Sequence, residues 1–389
     1  MDEIQGPLSF KNWKLFLAKH PPKYGWEHPL FSDAYFDLEG MVKEVGPYKL
    51  FLLNPFLHLE DKSLGKPRFI LQFDNYLPDN INYDFNKTHN QHDTGGNQAD
   101  EITALISICL GIRIKAGEEN RFFSSDKDLR GMPLELGRKT DPSYITSKFF
   151  GNQYILPNAI KTKVLKDLDI LFDFPLMLEE DAIVLLRAAR LYQEAVWLVE
   201  NTPEISWIFL VSMIEVVANH WRRDDSVVHR FQQSPLGEKI THQIKLYVGE
   251  IESVDDLVSE IADILSDYTG STAKFKDFIM NFLPPPPVIR PPSYAQHSWE
   301  QSELRKTLGK IYDYRSKALH AGQPFPAPMC LPPMLVGENN EPEEILSTLA
   351  MGTRGSTWVQ KDVPIMLHTF EYIARNAVLN WWKSVPRHN

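Results

Sequence analysis

The stretch Pro203 to Trp221, PEISWIFLVSMIEVVANHW, carries apolar side chains nearly all the way round a helical projection. A helix with so little polar surface belongs at the centre of a bundle rather than on its outside. Thr202 and Pro203 supply its start, since proline at the first helical position forfeits no hydrogen bond. Glu179 to Asn201, just before it, reads as a long amphipathic helix and its natural neighbour. The apolar run from Ile205 to Ala218 is interrupted by Ser206, Ser212 and Glu215 and is too short to span a bilayer, so no membrane segment is expected. Glu215 is the exception within this helix, because a free carboxylate is costly in apolar surroundings and needs a partner.

A candidate partner lies in Ser298 to Gly322, SWEQSELRKTLGKIYDYRSKALHAG. Ser298 followed by Gln301 has the spacing of a capping box, and Gly322 with Pro324 beyond it is a helix stop, which predicts one helix between them. Leu304, Leu308, Ile311, Ala318 and Leu319 form its apolar stripe, and Arg315 falls on the same stripe. A guanidinium keeps its proton, so a core-facing arginine requires a carboxylate or an anion. Glu215 facing Arg315 across the bundle satisfies both residues. Asp313, Ser316 and His320 follow on the adjoining face, and Arg305, Lys306, Lys310 and Lys317 make the helix locally basic.

A permanent cation beside a group that titrates near neutrality suits phosphodiester cleavage. Arginine stabilises charge on the non-bridging oxygens, and histidine moves a proton to or from a ribose hydroxyl or the leaving oxygen. That chemistry needs no metal or other cofactor. Two other Arg/His pairs occur, Arg223 with His229 and Arg290 with His297. Neither lies on a capped amphipathic helix, and Pro291 and Pro292 interrupt the second. The same Arg315 and Glu215 also suit a purely architectural role, fixing the register of two helices, and a histidine at a helix C-terminus is stabilised by the dipole without any chemistry.

Tyr312, Arg315, Ser316, His320 and Gly322, reading YDYRSKALHAG, resemble the signature of the HEPN superfamily of helical RNA-cleaving and nucleotide-binding domains. The Apea-like branch is the most similar, through LRAARLYQEAVWLVENTPEISWIFLVSMIEVVANHW and the closing FEYIARNAVLNWW. The resemblance covers roughly residues 180 to 389. It implies a metal-independent endoribonuclease with Arg315, His320 and Ser316 as catalytic residues and Glu215, Tyr312 and Asp313 in support. Lys310, Lys317 and Arg305 would contact RNA. It implies a homodimer with two motifs lining one cleft, and a toxin or antiviral effector as the setting. The alternative within the resemblance is a non-catalytic module that binds RNA or nucleotide, or mediates dimer contacts. Ser316 departs from the usual pattern, in which Asn, Asp or His follows the arginine. Geometry bears on assembly as well: five positions turn an ideal helix by about 140°, so Arg315 and His320 diverge unless the last turn loosens or two copies build the site.

The fold class expected is α+β, a C-terminal all-α HEPN-like bundle preceded by a smaller β-containing domain. At 389 residues, 43% hydrophobic and 24% charged, the chain is long enough for two domains, placed at 1–150 and 160–389. PYKLFLLN and RFILQFDNY have strand character, with Phe69, Leu71 and Phe73 on one side, bounded by Gly46–Pro47 and Asp79–Asn80 turns. A helix is expected near 98–116 with Asn97 as its cap, then an irregular connection from Glu118 to Asn158. This module is a possible site for a trigger or partner. His89, His92 and Asp93 have ligand-like spacing but lie among Asn, Gln, Thr and Gly, which reads as a polar loop with no fourth ligand.

Beyond Arg222, shorter helices are expected at 237–248, 254–268 and 272–282, then a proline spacer, LPPPPVIRPPS. A second proline-rich loop, PFPAPMCLPPML, follows the motif and could wall the site. Asp362 and Pro364 open a last helix burying Leu367, Phe370, Ile373 and Leu379, with Arg375 and Trp382 as either core residues or RNA contacts. The formal charge of −10 argues against general nucleic-acid binding and confines any such role to a local basic cluster. The acidic start without an apolar core argues against a secretory signal, and two cysteines cannot form a disulfide framework, so a reducing cytoplasm is the expectation.

Overall fold

The computed structural model describes residues 6–36, 42–53, 67–78, 93–123, 153–222, 238–242, 270–353 and 355–388. It opens with a helix that the sequence reading did not anticipate, α1 (Leu8–Leu17), which buries Phe10 and Trp13. Four strands follow: β1 (Tyr24–Ser32), β2 (Val42–Val45), β3 (Tyr48–Leu52) and β4 (Pro67–Asn75). Strict alternation puts Tyr48, Leu50 and Leu52 on the same inner face as Phe69, Leu71 and Phe73, and all six are buried. Gly46, at φ 58°, and Pro47 join β2 to β3. A side chain at Gly46 would begin 2.2 Å from the Trp13 indole nitrogen, so both the turn and α1 depend on that glycine.

Helix α2 (Gln98–Leu110) starts with a complete capping box, Asn97 and Asp100 exchanging bonds with each other's backbone. It ends earlier than expected. Gly111 takes a left-handed conformation, and Ile114–Ala116 leaves the helix as strand β5. β6 (Arg121–Phe123), placed in the expected irregular connection, is also a strand. Both pair with β1, which completes a six-stranded antiparallel sheet in the order β2-β3-β4-β1-β5, β6 lying beside β5 on the same edge. The remainder of the connection, 124–152, lies outside the described residues, as do His89 and His92.

The helical part begins with two 3-10 segments, Pro157–Ile160 and Leu165–Leu176, and then α3 (Glu179–Leu198) and α4 (Pro203–Trp221). α5 (Ser271–Asn281), α6 (Gln301–Ala321) and α7 (Leu367–Ser384) complete the bundle. Of the two other short helices expected, residues 238–242 are helical and the rest lie outside the described residues. α4 contacts all four of the others, as its nearly uniform apolar surface requires. Trp207, fully buried, is stacked between Phe325 and Phe370, and its indole N–H donates to the Met329 carbonyl at 3.0 Å. No described helix is long and apolar enough to cross a membrane.

The α+β class holds, but the C-terminal half is not all-α. Two small hairpins interrupt it, β7 (Leu335–Val336) with β8 (Glu341–Pro342) and β9 (Ala350–Thr353) with β10 (Ser356–Val359). Residues Gln360–Asp362 form a 3-10 turn, and α7 begins five residues after Asp362, at Leu367. Proline at 364 and the turn before it place the start later than Asp362 suggests.

One contiguous set of buried apolar side chains runs from the sheet through α2 into the bundle. α2 packs on β5 and also against α3 and α7, and therefore serves both layers. Arg113, 2% exposed, adds a buried ionic tie between them. Its guanidinium bonds both oxygens of Asp33 and lies 4.0 Å from Glu200 at the end of α3, whose carboxylate also takes the Ile155 N–H. Burial pushes the Glu200 carboxyl up, with Arg113 opposing it.

Candidate functional site

The motif helix α6 runs unbroken for 21 residues to Ala321, where Gly322 turns left-handed and the Gln323 N–H closes back on the Lys317 carbonyl at 3.2 Å. Its start differs from the expectation. Ser298 does not cap the helix; its hydroxyl takes the Glu300 N–H at 3.2 Å, a local turn, and α6 begins at Gln301 without a side-chain cap. Leu304, Leu308 and Ile311 are buried as expected. Ala318 is only half-buried, though it still packs against the core, and Leu319 is 47% exposed, so the apolar stripe stops at Ala318.

Glu215 and Arg315 do meet. Arg315 Nη2 donates to Glu215 Oε2 at 2.6 Å, from α6 to α4. The second carboxylate oxygen, Oε1, takes the Tyr312 hydroxyl at 2.7 Å. The Tyr312 ring lies 5.7 Å from the guanidinium carbon, contacts Phe275 of α5 at 5.4 Å between ring centres, and its hydroxyl also bonds Ser271. Burial and the Glu215 carboxylate push the Tyr312 hydroxyl up to about 12, so it is a firm donor at neutral pH. The Arg315 side chain stays 18% exposed, so the ion pair forms part of the surface. Arg113, at 2% exposed between two carboxylates, is the sealed and purely architectural counterpart in the same chain.

The other motif residues are distributed around this pair. Ser316 is half-buried, and Asp313 and His320 are exposed. No side-chain hydrogen bond joins His320 to Arg315 or to any other described residue. Since α6 is regular through Ala321, the loosened last turn that would bring the two side chains together within one chain does not occur.

The basic cluster divides. Arg305 is tied to Asp277 at 2.9 Å, and Asp277 also takes Arg222 at 2.5 Å. Burial raises the Asp277 carboxyl, but the two arginines outweigh it and hold the group below the usual carboxylate range. Lys310 donates to the Lys361 carbonyl at 2.9 Å, Tyr314 to the Asp362 carbonyl at 2.9 Å, and Lys317 lies 6.0 Å over the Tyr314 ring. Asp277, Ser271 and Tyr314 had no signal in the sequence reading; each is an ordinary polar residue until the fold supplies its neighbour.

Both proline-rich loops have defined places. The spacer before α6 is pinned by Trp299 to the Pro284 carbonyl, Tyr372 to Pro285 and Asn380 to Phe282, each at 3.0 Å. Arg290 and His297, though separated by Pro291 and Pro292 and on no capped helix, do come together: both bond Glu344, and His297 reaches Thr307 of α6 at 2.8 Å. They anchor the spacer to the motif helix, and burial keeps His297 below the ordinary histidine value. A cleft beside this spacer is lined by Lys161, Ile289, Glu344, His368 and Tyr372, with none of the motif residues on its walls. The loop after α6 packs inward through Phe325 and Met329 against Trp207. Arg375 donates to the Ile108 and Cys109 carbonyls at the end of α2 and pairs with Glu371, and Trp382 is 2% exposed and buried in the core.

Fold and site together define an α+β protein with a surface-reaching arginine, held by a carboxylate, on a basic helix of a helical bundle. Comparison of the chain with protein-family models, with curated proteins and with solved structures finds no match.

Proposed function

We propose that this chain is a metal-independent endoribonuclease of the HEPN type. The observation that carries this reading is the state of Arg315, drawn into place by Glu215 yet 18% exposed and bonded through a single nitrogen. In this reading the guanidinium binds the scissile phosphate, and His320 moves the proton to or from the 2′-hydroxyl or the leaving oxygen. Ser316 hydrogen-bonds the phosphate or orients His320. The products are a cyclic phosphate and a 5′-hydroxyl. The divergence of Arg315 and His320 on a regular helix supports a working site assembled from two copies, face to face. Lys317 is the flanking cation best placed for RNA, since Arg305 and Lys310 are already engaged. A toxin or antiviral effector, with the N-terminal sheet receiving the trigger, is the setting that goes with this activity.

A second reading, a non-catalytic module that binds RNA or nucleotide through Arg315, is favoured by the exposed His320 having no bond to Arg315. The test is to express wild type beside Arg315→Ala and His320→Ala and follow RNA integrity in cells and in vitro, with and without a chelator. The nuclease reading expects both variants to lose about a hundredfold or more in cleavage, the usual size of an acid–base contribution, with no effect of the chelator. Chelator-sensitive cleavage, or cleavage untouched in either variant, overturns it.

A further inference from the structure

An arginine fork matches a carboxylate on two prongs, and Arg/Glu pairs frequently take that form, as Arg290 does with Glu344. Arg315 and Glu215 do not. Among the described residues Arg315 uses Nη2 alone, on Oε2, while Oε1 takes the Tyr312 hydroxyl. Arg315 Nε is sealed from solvent and has no hydrogen-bond partner among the described residues. A buried donor left unsatisfied on a cation is unfavourable, and the oxygen that would relieve it belongs to the same carboxylate. Tyr312, one helical turn before Arg315 on α6, is the donor that Oε1 takes in place of Nε.

We propose that Tyr312 is a positioning residue whose hydroxyl keeps the Arg315–Glu215 pair one-pronged, leaving the guanidinium free to take a phosphodiester oxygen. This rests on the ribonuclease reading for the identity of the anion. The mechanism is local. Without the hydroxyl, Oε1 turns to Arg315 Nε, the fork closes, and the guanidinium is drawn toward α4 with its charge more fully neutralised. A phosphate then meets a cation already committed to two bonds.

Tyr312→Phe removes one oxygen atom and keeps the ring against Phe275. In the full chain with labelled arginine, the Arg315 Nε–H resonance, assigned through Arg315→Lys, is followed by NMR alongside thermal melting and titration with inorganic phosphate. The expected result is a downfield shift of that proton in Tyr312→Phe, a melting temperature equal to or above wild type, and phosphate affinity lower by about tenfold, the loss of one charge-assisted bond. An unmoved Nε–H overturns the proposal. So does a Tyr312→Phe protein that melts earlier or fails to fold, since the hydroxyl would then be a structural tie rather than a spacer. If wild type binds no phosphate but the Nε–H still shifts, the positioning role stands and the ribonuclease reading falls. Measurable phosphate binding that is equal in both proteins overturns the positioning role alone.

Discussion

Two arginines show how exposure separates architecture from chemistry. Arg113 and Arg315 each lie where an aliphatic side chain would fit, and each has an acidic partner on another element. Arg113 is 2% exposed, faces Asp33 and Glu200, and is sealed from any ligand. Arg315 has one carboxylate, shared with Tyr312, and an open edge. The Tyr312 hydroxyl gives this site a measurable alkaline limit. Its folded value, about 12, lies above the ordinary tyrosine value of 10.0, so the bond to Glu215 is intact below pH 10 and is lost as pH rises through the folded value. The difference in tyrosinate absorbance between wild type and Tyr312→Phe should therefore appear only well above pH 10, later than for free tyrosine. A Tyr312 titrating at the ordinary value would mean that the hydroxyl is not bonded to Glu215.

Among the elements, α4 carries the bundle, and Trp207 is its centre of packing. The ring is enclosed by Phe325 from the loop after the motif helix and by Phe370 of α7, with its N–H satisfied at Met329. Trp207→Ala should cost about 3–5 kcal/mol in chemical denaturation, the range for removing a fully buried aromatic, and should also free the 325–330 loop. A loss under about 1 kcal/mol would mean that the loop and α7 do not close over α4 as described. α6 behaves differently along its length. Its first three turns are clamped by Leu304, Thr307, Leu308 and Ile311, whereas Leu319, His320 and Ala321 at its end are exposed. A helix anchored at one end and exposed at the other offers the motif to whatever approaches it.

At the scale of the whole molecule, the sheet and the bundle share one core, and the tie at Arg113 makes them mechanically dependent. Asp33→Asn leaves a buried guanidinium without its main counter-charge and should destabilise the chain by about 3–5 kcal/mol in urea or thermal unfolding. The same substitution should melt sheet and bundle in one transition, since α2 packs on both. Two separated transitions in wild type would show that the shared core does not couple them. This coupling gives any ligand of the sheet a physical route to the helices, through β5 and α2 to α3.

Much of this was legible before any coordinates. The bounds of α4, the Asn97 cap of α2, the inner face of β4 and the stop at Gly322 all follow from spacing a few residues long, because helix and strand periods act locally. The meeting of Glu215 with Arg315 was readable for a different reason: two charges on apolar faces each need an opposite charge, and the chain offers few. Local signals also misled. Ser298 has the capping-box spacing without the cap, and Leu319 continues the apolar stripe past the point where burial ends. Sequence alone determined α3 to α7, the start of α2, β3 and β4, and which charges required company, but not α1, β1, β2, β5, β6 or the two C-terminal hairpins. Tertiary structure decided that Tyr312 takes half of Glu215, that Asp277 claims Arg222 and Arg305, and that α2 serves two layers. Those are contacts between residues distant in the chain, where a polar side chain has many acceptable partners and only packing selects one.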